Sequence, residues 1–178
     1  HGITLFDVEE LPTHGGSLRI FATHRTGNRP ATSNVARLRN QERAAKLHTT
    51  AGYDVLAPRV GKVRDDFLAF LAKARAEGKR VAAYGAAAKG NTFLNYCAAG
   101  PSDLTVVADA NVAKQGKLLP GSHIPIVSPA ALLAQKPDYV VILPWNIKGE
   151  IATQLAPIRS WGGKFVIARS LSHVTLVQ

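Results

Sequence analysis

No methionine occurs anywhere in the chain, which opens on His1. The expectation is therefore a processed product or a piece of something longer. Cysteine occurs once, as Cys97. A single thiol excludes an internal disulfide and any cysteine-based zinc site, and it suits a reducing cytoplasm. No apolar run approaches the roughly 20 residues a helix needs to cross a bilayer, so no membrane association is expected. No signal peptide is expected either, because residues 1–12 carry Asp7, Glu9 and Glu10 and no basic start. Acids are scarce: 12 Asp and Glu stand against 22 Lys and Arg, for a net charge of +10. From residue 79 onward the acids are Asp103, Asp109, Asp138 and Glu150, and no paired-carboxylate or Ser/His/Asp set can be assembled from them. The six histidines include no pair with metal-ligand spacing.

What the chain does have is positive charge. Arg19, Arg25, Arg29, Arg37, Arg39, Arg43 and Lys46 face a single acid, Glu42, across residues 19–46. Such a surface attracts nucleic acid, a phosphorylated small molecule or an acidic neighbouring domain. No aromatic residue interleaves the arginines between Arg25 and Lys46, so a base-stacking platform is not indicated and nucleic acid is not the expected partner.

Residues 3–8 and 17–23 read as two strands joined by Glu-Glu-Leu-Pro-Thr-His-Gly-Gly, and two strands alone do not make a stable unit. Residues 26–34 form a polar, turn-rich linker. Ser33 or Asn34 is placed to cap a basic helix running to about Leu47. Residues 54–77 carry the clearest helical stripe (Leu56, Val60, Val63, Phe67, Phe70, Ala74), with Pro58 in the first turn and Gly78 at the end. From residue 80 the pattern alternates: strand 81–84, helix 90–99, strand 104–108, loop 109–123, strand 124–127, helix 129–135, strand 139–143, helix 147–158, strand 164–168 and strand 172–177. Alternating β and α segments predict an α/β fold, a Rossmann-like doubly wound, mainly parallel sheet that binds ligands at the carboxyl ends of its strands. The expected divisions are 1–25, 26–78 and 79–178.

The turn after the first of these strands reads Gly85-Ala86-Ala87-Ala88-Lys89-Gly90. A helix start there presents unpaired N–H groups and a positive dipole end to an anion. Against G-x-G-x-x-G the middle glycine is Ala87, and against the P-loop the phosphate lysine is Asn91, which argues against an NTPase. Small residues in the turn would also serve simply to pack a helix closely on the sheet. Asp109 ends the next strand 24 positions after Gly85, within reach of a sugar hydroxyl. Strand-end logic thus selects Gly85, Lys89, Gly90 and Asn91, then Asp109 and Asn111 with Lys114 and Lys117 nearby. It also selects Trp145, for stacking on a base or sugar, and Asn146, for bonding its edge; a packing Trp and a helix-capping Asn are the plainer alternative. His14 and Ser17, in the turn His-Gly-Gly-Ser, are further candidates.

Together, YGAAAKGNTFLNYC, DANVAKQGKLLPGSHIPI, PDYVVILPWN and IRSWGGKF resemble the C-terminal domain of bacterial S-adenosylmethionine-dependent C-methyltransferases, whose best-understood members act on nucleotide-activated keto-deoxysugars. The segment HGGSLRIFATH resembles the end of the methyl-transfer domain that precedes it, so residues 1–25 would be the close of that upstream domain. The resemblance implies a cytoplasmic transferase in which an upstream part binds S-adenosylmethionine and deprotonates the carbon beside a ketone. Zinc would belong to the family's N-terminal domain and is not expected here. This chain would then hold the sugar nucleotide, partnered by the upstream domain of its own protein, and would be inactive alone. Two other readings stand beside it: a dinucleotide- or coenzyme A-binding regulatory module, favoured by Asp109 and opposed by Ala87, and a structural domain joining protomers through the 54–77 helix.

Overall fold

The computed structural model describes residues 1–168 and 174–177. Two compact units result, residues 1–57 and 58–178.

In the first unit, β1 (Ile3–Leu11) and β2 (Ser17–His24) form an antiparallel hairpin with a register shift between Leu5 and Asp7. Both strands run further than the apolar pattern alone suggested. A basic helix, α1 (Ser33–Ala44), packs on β1, burying Val35 and Val8. Its N-cap position is Thr32, not Ser33 or Asn34, and no side chain caps it. The reason is Asp7: its Oδ1 accepts from Thr32 Oγ1 (2.5 Å), Asn34 Nδ2 (3.1 Å) and the Val8 amide (2.9 Å). Those bonds, Thr32 foremost, hold the Asp7 carboxyl below its ordinary range. Arg37 adds an ion pair to Glu10 at 2.7 Å. On the hairpin Ile3, Leu5, Leu18 and Ile20 stay exposed.

The second unit opens with α2 (Leu56–Ala76), of which residues from Pro58 belong to it. Phe67, Leu71 and Ala74 of its apolar stripe enter the core, while Leu56 and Val60 of the same stripe, and Leu68, stay exposed. Gly78 closes the helix at φ +66°, with the Lys79 amide donating back to Ala74. Then follow β3 (Val81–Tyr84), α3 (Ala88–Tyr96), β4 (Val107–Ala108), β5 (Ile126–Val127), α4 (Pro129–Ala134), β6 (Tyr139–Ile142), α5 (Lys148–Gln154), β7 (Lys164–Ala168) and β8 (Val174–Val177). The predicted terminal strand began at 172; residues 172 and 173 lie outside the described residues.

The sheet order is β5-β4-β3-β6-β7-β8, parallel except for β8. Successive side chains alternate between the two faces. Val81, Ala83, Val141 and Val166 meet α2 and α3 on one side, while Ala82, Tyr84, Val140, Ile142, Phe165 and Ile167 meet α4 and α5 on the other. That is a doubly wound α/β sheet, as the alternation predicted. The chain winds outward from β3 in one direction and from β6 in the other, so a topological switch point falls between those two strands.

Candidate functional site

At the carboxyl ends of β3, β4 and β6 the expected residues gather. Gly85 leaves β3 at φ +98°, a conformation glycine takes without strain. A Cβ there would overlap Pro144 Cδ, and a Cβ on Gly90 would stand 2.8 Å from Leu143 Cβ. The two glycines therefore let the β3–α3 turn press against the exit of β6. Ala87 stands at the N-cap of α3, and no side chain caps the amides of the first turn from that position. Lys89 projects from that turn, exposed, and makes no ion pair among the described residues. Asn91 follows, its Oδ1 buried without a hydrogen-bond partner.

Asp109 is already engaged. Its Oδ2 accepts from the Ala86 amide (2.8 Å) and from Lys114 Nζ (3.2 Å), and its Oδ1 from the Asn111 amide (2.8 Å). Lys114 Nζ also donates to Ala86 O at 2.9 Å, so the lysine and the aspartate grip both ends of one residue's backbone. Asn111, itself exposed, closes on its own turn, its Oδ1 accepting from the Ala113 amide at 3.0 Å. The acid at the end of β4 thus occupies the turn as an internal anion.

This arrangement decides what fits. A dinucleotide pyrophosphate needs close approach to the turn backbone and its free N–H groups. Here the Ala86 N–H is taken by a carboxylate, and the glycine spaces are filled by Leu143 and Pro144. A ribose diol needs an acceptor, and the fold already places two donors on Asp109 Oδ2 and one on Oδ1. The turn thus lacks the free amide and the open glycine spaces on which a pyrophosphate site of this fold relies. The described residues also hold no cluster of His, Cys, Asp or Glu suited to a metal ion.

Beside the turn lies a cleft of about 170 Å³, lined by Val63, Lys89, Gly90, Phe93, Leu143 and Trp145 among others. Trp145 is 38% exposed and sits in a short 3-10 turn, Trp145–Ile147, that also carries the exposed Asn146. An ammonium, the open start of a helix and an indole thus meet over an apolar floor. Gly85, Asn91, Asp109, Asn111 and Asn146 lie at the same edge without lining the cleft. His14 (φ 55°) and Ser17, whose Oγ donates to Thr13 O at 3.0 Å, belong to the hairpin turn of the first unit. Sequence reasoning did not foresee the wall from α2: Val63 reads as one more stripe position, and only the packing of α2 beside α3 shows its second role. Nor did spacing alone show that Lys114 folds back on Ala86.

No helix among the described residues is long and apolar enough to cross a membrane. Comparison with known proteins places the chain. The C-methyltransferase C-terminal domain family matches residues 12–169. The C-methyltransferase NovU of Streptomyces niveus is 35% identical over 167 residues, covering 94% of this chain. The chain spans 40% of the length of that relative.

Proposed function

The chain belongs to the C-methyltransferase C-terminal domain family, and from that premise we propose that it is the substrate-side domain of an S-adenosylmethionine-dependent C-methyltransferase acting on a nucleotide-activated keto-deoxysugar. The cleft at the β3/β6 switch point is the observation that carries this reading, because it joins a cation that has no carboxylate partner among the described residues to an exposed indole. When bound elsewhere in the protein, S-adenosylmethionine supplies an electrophilic methyl group on a sulfonium. On this reading its binding and the deprotonation of the carbon beside the ketone belong to an upstream part, as does any zinc. On this reading the chain alone is inactive and the whole is a cytoplasmic enzyme. The exposed Ile3, Leu5, Leu18 and Ile20 suit a hairpin that completes the upstream domain.

Within the chain the roles are those of holding and orienting. The Lys89 ammonium, with the amides opening α3, pairs with the diphosphate. Trp145 stacks on the base or sugar, and Asn146 bonds its edge. Val63 and Phe93 keep water from the apolar floor. Gly85, Gly90, Asp109 and Asn111 fix the turn so that Lys89 and Asn91 point the same way each time, and that fixed geometry is what orients the sugar for in-line methyl transfer.

Trp145 fluorescence tests this. Trp161 is the other tryptophan, so a Trp161→Phe chain leaves Trp145 as sole reporter. Saturable quenching by thymidine diphosphate, with none by NAD⁺, is the expected result. Quenching by NAD⁺ alone would replace this reading with a dinucleotide module.

A further inference from the structure

The first unit holds a larger concavity that the reading above does not use. It is an open surface concavity of about 440 Å³, lined by the exposed Arg39, Glu42, Arg43, Leu47, His48 and Tyr53. That volume falls in the range of small-ligand sites, roughly 300–1,000 Å³. Arg39 and Arg43 stand one helical turn apart near the end of α1, so their guanidinium groups reach the same space. Neither makes an ion pair among the described residues, in contrast to Arg37, which is held by Glu10.

The concavity is built, not incidental. The Leu47 amide donates to Glu42 O (3.0 Å) and the Thr49 amide to Lys46 O (2.9 Å), and Thr49 Oγ1 donates to the same carbonyl (3.0 Å). Gly52 packs so close to the Lys46 carbonyl that a Cβ would overlap it. Tyr53 then folds back and donates its hydroxyl to Leu47 O at 3.0 Å. These bonds place the phenol ring beside arginines that precede it by ten and more residues. The last carbonyls of α1 accept from Ala45, Lys46 and Leu47, so the arginines are not needed to cap the helix.

We propose that this pocket binds a nucleoside phosphate, with Arg39 and Arg43 forking onto the phosphate oxygens and the Tyr53 ring stacking on the base. Guanidinium groups match phosphate bidentately. The Glu42 carboxylate at the rim is placed to accept from ribose hydroxyls. The aromatic partner that residues 25–46 lack is supplied from beyond the helix, by Tyr53. This inference is independent of the Lys89 cleft, since every lining residue lies in the first unit.

The test is an NMR titration of the 178-residue chain with UDP, reading the arginine Nε–H and Leu47 methyl signals. UDP is expected to shift the Arg39, Arg43 and Leu47 signals saturably, and uridine at the same concentration to leave them still. In the double variant Arg39→Gln, Arg43→Gln, whose helix and exposed sites tolerate the change, the affinity read at Leu47 should fall about tenfold or more. Tyr53→Leu should weaken UDP but not inorganic pyrophosphate. Arginine signals unmoved at millimolar UDP would overturn the proposal. So would undiminished UDP binding in the double variant, or a single-stranded oligonucleotide that binds through these arginines while UDP does not. A ligand seated only at Lys89 would perturb Trp145 and not Leu47, so the two sites fail separately.

Discussion

The carboxylate of Asp109 accepts the amide proton of Ala86 at 2.8 Å, tying the end of β4 to the turn that leaves β3. The acid that follows the second strand of a doubly wound sheet is here bonded to its own fold. Its two oxygens serve two amides and an ammonium. Asp109→Ala should therefore destabilise the second unit by about 3 kcal/mol, because it leaves the Ala86 and Asn111 amides without their acceptor and takes the carboxylate from Lys114, which keeps only the Ala86 carbonyl. Urea unfolding measures this. A loss below a few tenths of a kcal/mol would mean that the turn holds without the carboxylate.

The glycines of the turn make a second, graded prediction. Gly85→Ala combines a positive φ with overlap on Pro144, and Gly90→Ala meets only Leu143 Cβ at 2.8 Å. Overpacking costs about 1–3 kcal/mol and left-handed backbone roughly 1–2 more, so Gly85→Ala should be the more damaging. Gly61 of α2 meets nothing within 4 Å. There, alanine should instead stabilise by about 0.4–1 kcal/mol. Thermal unfolding of the three variants should rank them in that order.

These results bear on what the sequence revealed. The alternation from residue 80 carried the doubly wound sheet because each strand is bounded by turn residues and each helix by an apolar stripe. Strands 81–84 and 164–168 were legible to the residue. β4 was read as 104–108 and forms a strand only at Val107–Ala108, although the Thr105 amide donates to Val81 O and Val106 O accepts from the Ala83 amide, both at 2.9 Å, so the chain already runs along β3 before the strand begins. Of the predicted helix 147–158, only Lys148–Gln154 is α-helical; Pro157 removes an amide donor, and 3-10 turns take up both ends. The strand-end candidates could be named from spacing, but their partners could not. That Asp109 turns toward Ala86 and not outward depends on Lys114 folding back over a five-residue loop, which no periodicity encodes.

Asp138 predicts an acid dependence. It accepts from the Arg80 amide at 2.8 Å and from Lys79 Nζ at 3.1 Å, joining the starts of β3 and β6. Those bonds, the Arg80 amide foremost, lower its pKa from the ordinary 3.8. A depressed carboxylate stabilises the fold fully above its unfolded value, and the contribution is lost as pH falls through the lower folded value. Stability should thus drop as pH is lowered from about 4, and Asp138→Asn should flatten that drop. An unchanged acid profile in the variant would assign the loss to other groups.

Cys97 is 3% exposed, and burial pushes its thiol up to about 11. Thiolate is the reacting species, so alkylation at mildly alkaline pH should run on the order of a hundredfold slower in the native chain than in urea. Comparable rates in both would show that the α3 end opens readily.

Calorimetric titration of the Arg39→Gln, Arg43→Gln chain with thymidine diphosphate, repeated with Lys89→Ala added, reaches the central claim most directly, because the arginine pocket is then silenced. Saturable binding that the variant weakens about tenfold is the predicted result, and it would seat the substrate's phosphates at the β3/β6 cleft. Binding of equal strength in Lys89→Ala, or tight binding of NAD⁺ in its place, would contradict it.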